Sequence, residues 1–291
     1  MRTLIAGGHG SLGRDLAEAC RERDQDVVAL GSDELDVTSG GSCDAAIAEH
    51  RPDAVINCAA WTDVDAAESD EAGAMRINDT GAGLLAAAAA RGGASVLYVS
   101  SDYVFDGSKR SPYLESDLPS ALSAYGRSKQ AGETATAVAN RRHFVVRSSW
   151  LFGTGGPNFV EAMLRLGAER PEVLVVSDQR GCPTYNRHLA GALAELCETE
   201  AWGIHHIAGG GSASWFEFAE EIFDQAGVDS RVIAATTEMV PRPAPRPRRS
   251  VLATERADTC RLAGWRRGLS EYLAERDRAG ASAASRAGSS R

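Results

Sequence analysis

The sequence predicts an α/β protein built on a doubly wound parallel sheet, followed by a smaller C-terminal region. Short, fully apolar runs alternate with longer alanine-rich segments, and this alternation is typical of strand–helix–strand units. Because the runs contain no alternating polar residues, we expect strands that are covered on both faces. The predicted strands are Thr3–Ala6, Val27–Leu30, Ala54–Cys58, Ser95–Ser100, His143–Ser148 and Val173–Val176. The helices predicted between them are Asp15–Arg23, Cys43–His50 and Asn78–Arg91.

The pattern becomes less regular after residue 150, where we place an approximate domain boundary. Residues 1–150 form the first predicted domain and 151–279 the second region, with chain segments free to cross between them. Alternating proline and arginine favour an extended backbone over Pro241–Arg249. Residues 280–291 have no apolar face, which predicts a disordered tail. The helices predicted in the second region are Asn158–Leu166, Leu189–Glu198, Trp215–Ala226 and Ser270–Arg276.

Composition and charge disfavour several classes of protein. The 291 residues are 43% hydrophobic and 24% charged, as in an ordinary globular chain. A net charge of −9 argues against a nucleic-acid partner, since phosphate binding needs a clustered basic surface. The six cysteines are scattered without a CxxC pair, which favours reduced thiols over a disulfide framework or a zinc site. Without a recognisable signal peptide or a long apolar stretch, we expect a cytoplasmic protein with no membrane partner.

A glycine-rich turn follows the first predicted strand directly. Gly7, Gly10 and Gly13 are spaced three residues apart, and a helical segment follows them. In such turns the first glycine permits a tight bend, the second lets the backbone approach a diphosphate, and the third allows close helix packing. The N–H groups at the start of the helix then bind phosphate oxygens. A glycine turn alone is weak evidence, but its position between a strand and a helix predicts a dinucleotide cofactor.

The end of the second predicted strand bears on the choice of cofactor. Proteins that prefer NAD usually carry Asp or Glu there, because the carboxylate binds the ribose 2′-hydroxyl. Here Leu30 is followed by Gly31 and Ser32, and Ser32 can donate a hydrogen bond to a 2′-phosphate. We therefore expect NADPH, with NADH possible because Asp33 comes next.

Ser101, Tyr125 and Lys129 are the candidate catalytic residues. Ser101 follows the fourth predicted strand, at the sheet edge where open parallel sheets bind ligands. Tyr125 and Lys129 are four residues apart and share one face of a helical segment. We expect the ammonium group to lower the pKa of Tyr125, which then protonates a carbonyl oxygen held by Ser101. Lys129 can also bind the nicotinamide ribose.

The same spacing has an alternative interpretation. An isolated tyrosine and lysine four residues apart would more often be a packed side chain and a surface charge. The glycine turn and the serine, which occur in the right order along the chain, favour catalysis.

These motifs and several others give the chain a family resemblance. In chain order they are Gly7–Gly13, Asn57–Asp65, Ser100–Gly107, Tyr125–Glu133, Arg147–Trp150, Asp178–Thr184, Gly203–His206, Trp215–Ala219 and Arg246–Pro247. The sequence resembles the extended short-chain dehydrogenase/reductase family, and within it the reductases of dTDP-4-keto-6-deoxysugars. The resemblance implies a Rossmann-type sheet, hydride transfer from NADPH to the sugar C4, and Tyr125 as proton donor. Relatives usually have threonine at position 101, so Ser101 keeps the hydroxyl and loses a methyl group that restrains its rotamer.

Two sets of residues are expected to contact the ligands. The expected cofactor contacts are Gly7, Gly10, Ser11, Leu12, Gly13, Ser32, Asp36, Val37, Cys58, Ala59, Ala60, Asn78, Tyr125 and Lys129. The expected contacts of the nucleotide sugar are Thr62, Val64, Ser101, Tyr103, Trp150, Asn158 and Arg246. Arg246 would pair with the sugar diphosphate, and a solvent-facing arginine is the alternative. The alternative for Val64 and Trp150 is that they pack in the core, and the alternative for Thr62 is that it caps a helix.

The resemblance also bears on metal binding and assembly. Some relatives hold a divalent cation at a dimer interface through acidic residues, and Asp15 and Glu271 match two such positions. Arg187 stands at the intervening position and would repel a cation, so we predict no metal and either a monomer or a homodimer. Two other functions stay open, namely reduction of a different nucleotide-linked keto sugar and a non-catalytic, dinucleotide-binding regulatory subunit. The complete set of serine, tyrosine and lysine disfavours the regulatory subunit.

Overall fold

The computed structural model describes residues 1–288, which form a central sheet between helical layers and a smaller cluster of helices and short strands. The strands are β1 (Arg2–Ala6), β2 (Asp26–Leu30), β3 (Ala54–Asn57), β4 (Ser95–Ser101), β5 (His143–Ser148), β6 (Leu151–Phe152), β7 (Glu172–Val176), β8 (Arg180–Gly181), β9 (Thr184–Tyr185), β10 (Gly203–His206), β11 (Ala213–Ser214) and β12 (Arg231–Ala235). The helices are α1 (Ser11–Glu22), α2 (Gly40–His50), α3 (Ala66–Ser69), α4 (Glu71–Met75), α5 (Ala82–Arg91), α6 (Ala124–Ala139), α7 (Phe159–Glu169), α8 (Asn186–Leu196), α9 (Trp215–Ala226) and α10 (Trp265–Gly288). One π turn lies at Arg76–Gly81, and 3₁₀ turns lie at Asp102–Val104 and Thr237–Met239.

The central sheet has six parallel strands in the order β10–β5–β4–β3–β1–β2. The predicted parallel, doubly wound sheet is therefore confirmed, and five of the predicted strands lie in it within a residue or so of their expected bounds. The prediction that Val173–Val176 continues this sheet was wrong. That segment is β7, which pairs with β12 in a separate two-stranded sheet, while β10 pairs with β5 as the sixth strand.

Neighbouring residues of β1 face opposite helical layers, which explains its continuous apolar sequence. Leu4 packs with residues of α2 and α5 on one face of the sheet, and Ile5 packs with residues of α1 and α8 on the other. Both side chains are fully buried. Because successive side chains of a strand point to opposite faces, a strand between two helical layers has no polar face.

The second half of the chain contributes to two cores. α8 packs against α1, and β10 joins the central sheet, so these segments cross back to the first half as the sequence allowed. The remaining core gathers α7, α9, α10, β7 and β12 around aromatic side chains such as Phe152 and Phe218. α9 starts with a capping box between Ser214 and Glu217, and Gly227 ends it with φ +63°. The division of the chain into domains at residue 150 stays a prediction.

The C-terminal helix is longer than the sequence predicted. We expected a helix over Ser270–Arg276 and disorder from residue 280, but α10 runs from Trp265 to Gly288. Alanine and arginine are strong helix formers, and they carry the helix onward from the packed residues Leu269 and Tyr272. The rest of the predicted tail, residues 289–291, lies outside the described residues. No helix in the described part of the chain is long and apolar enough to cross a bilayer.

Candidate active site

A cavity of about 800 Å³ opens at the carboxyl ends of β1, β2 and β3. The direction of chain progression across the sheet reverses here. The chain goes from β1 to β2 on one side, then crosses to β3 on the other side of β1 and continues in that direction. Open α/β sheets bind dinucleotides in the crevice at such a reversal. The position of the cavity therefore agrees with the sequence-based prediction.

The three glycines at positions 7, 10 and 13 lie where their lack of a side chain is needed. Gly7 has φ +72°, and a Cβ placed on it would lie 2.7 Å from the Ala59 nitrogen. A Cβ on Gly13 would collide with the Gly7 carbonyl oxygen, so close packing of α1 requires glycine there. A Cβ on Gly10 would have only the Gly7 oxygen near it, at 3.2 Å. No side chain caps the start of α1. The first N–H groups of α1 are thus free for phosphate oxygens, and the turn fits a dinucleotide.

Most of the expected cofactor contacts line this cavity. They are Gly7, Gly10, Ser11, Leu12, Gly13, Ser32, Asp36, Val37, Cys58, Ala59, Ala60, Tyr125 and Lys129. Asn78 is the one expected contact outside the lining, and its side chain is fully buried, so its contact with the cofactor stays a prediction. Its Oδ1 accepts from the Trp61 N–H at 2.9 Å, and its Nδ2 donates to the Trp61 carbonyl at 3.1 Å and to Ser128. Asn78 thereby holds the loop that contains Ala60 and Thr62.

Ser101, Tyr125 and Lys129 come together at one end of the cavity. Tyr125 and Lys129 lie in the first turns of α6, whose start is capped by Ser123. Ser101 ends β4; its hydroxyl accepts from the Tyr103 N–H at 3.1 Å and donates to Asp102 Oδ1 at 3.2 Å. The Ser101 hydroxyl also lies close enough to the Tyr125 phenol to influence its pKa. The structure thus brings the three predicted catalytic residues to one place.

Burial changes the titration of this group in a way that the spacing did not predict. Burial raises the pKa of Tyr125 to about 12, and the neighbouring Ser101 side chain opposes this rise. Burial also lowers the pKa of Lys129 to about 7, against the opposing charge of Glu133. The expectation that Lys129 lowers the pKa of Tyr125 was therefore wrong, since removal from water dominates for both groups. The Lys129 Nζ lies 4.1 Å from the centre of the Tyr98 ring.

Asp102 is a member of the site whose role the sequence did not reveal. It is buried, and it accepts hydrogen bonds from the hydroxyls of Ser101, Ser149 and Ser250. Burial raises the pKa of Asp102 to about 6, although the three hydroxyls oppose the rise. Its position directly after Ser101 was the available signal, but the two distant serines could not be paired with it from sequence.

The expected substrate residues fall into two groups. Thr62 and Asn158 line the cavity, and Asn158 also caps α7 by accepting from the Glu161 N–H. Five others do not line it, namely Val64, Ser101, Tyr103, Trp150 and Arg246. The ring of Tyr103 is edge-on to the ring of Tyr125, which does line the cavity, with ring centres 6.0 Å apart.

Arg246 is engaged with a carboxylate rather than free for a diphosphate. Its Nη1 and Nη2 donate to the two oxygens of Asp65 at 2.9 and 3.0 Å. These bonds, together with those from Ala244 and Arg242, hold the pKa of Asp65 well below its usual range. Burial raises the pKa of Tyr103, and the neighbouring Arg246 guanidinium opposes this rise. The solvent-facing alternative for Arg246 was wrong, because only 13% of its side chain is exposed. Its pairing with the sugar diphosphate stays a prediction.

Trp150 has a backbone conformation that is unusual for its residue type. Its φ is +49°, and its indole stacks on Trp215 with ring centres 3.5 Å apart. A Cβ on Gly181 would lie 2.5 Å from the indole, so the other side of the ring is closed as well. Non-glycine residues at positive φ are often found at ligand sites, where the surrounding structure holds them.

A buried polar chain supports the end of β4 from behind. The Ser100 hydroxyl, which lines the cavity, donates to Glu133 Oε1 at 2.5 Å. Arg147 donates to both oxygens of Glu133 at 2.8 and 2.7 Å. The Arg147 guanidinium also meets His206 Nε2 at 3.3 Å, and His206 Nδ1 faces the Ala253 carbonyl at 2.9 Å. His206 thus has a structural role in this buried chain of contacts.

The residues that match metal positions in relatives form an ion-pair cluster here. Arg187 Nη2 lies 3.1 Å from Glu18 Oε1, and Arg187 Nη1 lies 3.3 Å from Glu275 Oε1. Burial raises the pKa of Asp15 to about 6, and the charge of Arg187 opposes this rise. Glu271 is not the acidic partner in this cluster, because it binds His188 at 2.6 Å. The expected absence of a metal stays a prediction.

Comparison with known proteins gives matches over nearly the whole chain. Residues 1–278 match the family model described as RmlD substrate binding domain. A dTDP-4-dehydrorhamnose reductase of Streptomyces griseus is 44% identical, covering 93% of this chain and 92% of that protein. A dTDP-4-keto-6-deoxy-D-glucose reductase of Streptomyces niveus is 40% identical, covering 86% and 88%.

Solved structures give the same result for the fold. The dTDP-4-dehydrorhamnose reductase of Bacillus anthracis, crystallised with NADP, superposes with a TM-score of 0.92 at 37% identity, covering 94% of this chain and 99% of that one. A UDP-glucose 4-epimerase of Thermus thermophilus shares the fold at a TM-score of 0.79 and 22% identity.

Proposed function

Because this chain belongs to the RmlD substrate-binding-domain family, we propose that it is an NADPH-dependent reductase of the C4 keto group of a dTDP-4-keto-6-deoxyhexose. The observation that carries this proposal is that Tyr125 and Lys129 line the same cavity as the glycine turn, with Ser101 next to the lining residue Ser100. The relatives named as dTDP-sugar reductases, at 40 to 44% identity, supply the class of substrate.

Tyr125 is the residue best suited to protonate the carbonyl oxygen. NADPH supplies the hydride when it is bound. A pKa of about 12 keeps the phenol of Tyr125 protonated at neutral pH, which is the form that a proton donor needs. Addition of the hydride to C4 and of the phenol proton to its oxygen turns the ketone into an alcohol. The hydroxyl of Ser101, which lies beside Tyr125, is in place to bind the same oxygen.

Lys129 has two roles in this proposal. Its pKa of about 7 allows it to gain or lose a proton near neutral pH, and so to help restore the proton that Tyr125 gives away. Its side chain also lines the cofactor cavity, where it can bind the nicotinamide ribose.

Trp150, Tyr103 and Arg246 are proposed to bind the nucleotide sugar beside the cavity. Trp150 is held from both sides by Trp215 and Gly181, so it offers a fixed aromatic edge. Arg246, fixed by Asp65, presents its remaining guanidinium surface next to Tyr103. A monomer or a homodimer stays our expectation for the assembly.

The substrate is tested by following NADPH oxidation with freshly made dTDP-4-keto-6-deoxyglucose, with and without a 3,5-epimerase. Oxidation that requires the epimerase identifies the epimerised sugar as substrate, as in rhamnose formation. Oxidation without the epimerase supports reduction of dTDP-4-keto-6-deoxyglucose itself, the activity that names the Streptomyces niveus relative. Bound NADPH with no oxidation in either case contradicts the proposed substrate class.

A further inference from the structure

A carboxylate lies at the end of β2 after all, although the residues that directly follow the strand carry none. Glu34 folds back, and its Oε2 accepts a hydrogen bond from the Gly31 N–H at 2.8 Å. Gly31 and Ser32 line the cofactor cavity. In dinucleotide-binding sheets this is the position that faces the 2′ substituent of the adenosine ribose.

The imidazole of His9 lies against the same carboxylate. His9 belongs to the glycine turn and lines the cavity, and its Nε2 is 3.3 Å from Glu34 Oε2. A Cβ on Gly31 would overlap the His9 ring, so the imidazole lies directly over Gly31. Two elements of the cofactor site, the glycine turn and the end of β2, are thus joined through one carboxylate oxygen. Glu34 Oε1 makes no hydrogen bond within the described residues, and the side chain is half exposed.

Positive charge is scarce among the side chains that line the cavity, although Arg14 bonds the lining residue Gly155 from outside and Arg76 lies near Asp36. Among the described residues that line it, no arginine is present, and Lys129 lies at the catalytic end beside Tyr125. A 2′-phosphate at the other end would therefore meet the carboxylate of Glu34 without a lysine or arginine in the lining to offset it. His9 is the remaining lining side chain whose N–H groups can bind an anion there.

We propose that Glu34 and His9 set the ratio in which this reductase uses NADPH and NADH, an inference that rests on the proposed function. Glu34 favours NADH, because its free oxygen can accept from a ribose 2′-hydroxyl and its charge repels a 2′-phosphate. His9 favours NADPH, because it binds the carboxylate and can donate to the 2′-phosphate. Glu34 and His9 therefore shift the preference between NADPH and NADH in opposite directions.

The test compares Glu34→Gln with Asp33→Asn, which removes the same charge one residue away. Asp33 makes no hydrogen bond to the Gly31–Ser32 segment among the described contacts. We expect Glu34→Gln to raise the ratio of kcat/KM for NADPH over NADH about tenfold, and Asp33→Asn to change it less than about twofold. His9→Asn should lower the same ratio several-fold. Equal ratios in wild type and Glu34→Gln, or equal effects of the two charge changes, would overturn the proposal.

Binding of adenosine fragments separates this proposal from the proposed function, because it needs no sugar substrate. Calorimetry with 2′,5′-ADP and with ADP measures the contribution of the 2′-phosphate to binding alone. Glu34→Gln should tighten 2′,5′-ADP about tenfold and leave ADP within about twofold. If this holds while no sugar is reduced, only the assigned reaction fails; if neither fragment responds, the role of Glu34 is wrong whatever the turnover.

Discussion

Glu133 and Arg147 form a two-bonded ion pair in the interior, where 1% of the Arg147 side chain and 7% of the Glu133 side chain are exposed. The pair joins α6, which contains Tyr125 and Lys129, to β5 beside the strand that ends in Ser101. It therefore fixes the two elements that must meet for catalysis.

Removing one partner of this ion pair should destabilise the folded protein. We expect Arg147→Met to lower the free energy of unfolding by about 3–5 kcal/mol, since it leaves the Glu133 carboxylate buried without its partner. Urea denaturation measures the change. The double variant Glu133→Gln/Arg147→Met should recover much of the loss, because no unpaired charge remains. A loss below about 1 kcal/mol in the single variant would show that the pair is not the fixed link described above.

Lys129 should make the stability of the protein rise with pH. Its pKa is about 7 in the folded chain and near 10.5, the ordinary value for lysine, in the unfolded chain. Between these values the unfolded state binds more protons, so the free energy of unfolding rises by at most ~1.4 kcal/mol per pH unit from this group. Lys129→Met removes the effect. Its gain in stability over wild type should therefore be largest at pH 7 and shrink by pH 9; a gain that does not change with pH would contradict the burial of a titrating amine.

Gly10 and Gly13 should respond differently to the same added methyl group. Gly13→Ala places a Cβ against the Gly7 carbonyl oxygen, so we expect a loss of about 1–3 kcal/mol in stability. In Gly10→Ala the added Cβ has only one atom near it, at 3.2 Å, so the free energy of unfolding should change by less than about 1 kcal/mol. NADPH binding should nevertheless weaken in Gly10→Ala, because the methyl group occupies the approach of the diphosphate. Thermal unfolding and fluorescence titration with NADPH check the pair, and unchanged NADPH affinity in Gly10→Ala would place the diphosphate elsewhere.

The parts of the fold that the sequence predicted are those with local patterns. β1 follows from a run of apolar residues, and the glycine turn follows from three evenly spaced glycines, of which Gly7 has positive φ. The spacing of Tyr125 and Lys129 is likewise a property of a single helix. Such patterns need no knowledge of distant residues.

The parts that the sequence did not reveal depend on contacts between distant residues. Asp65 and Arg246 are 181 residues apart, and no local pattern links them. The sixth strand of the sheet is short and contains two histidines, so its apolar pattern was weaker than that of β7. Glu34 reaches the end of β2 only because the chain turns back after Gly31. Burial, which decides the pKa values of Tyr125 and Lys129, is also a property of the whole fold.

The most direct test of the proposed mechanism is Tyr125→Phe, assayed for NADPH oxidation on the dTDP-4-keto sugar and for NADPH affinity in parallel. The substitution removes only the phenol oxygen, so α6 and the cavity should keep their shape. We predict a fall in kcat of about 10²–10⁴-fold, with the Kd of NADPH within about threefold of wild type. Turnover close to that of wild type would show that another group donates the proton.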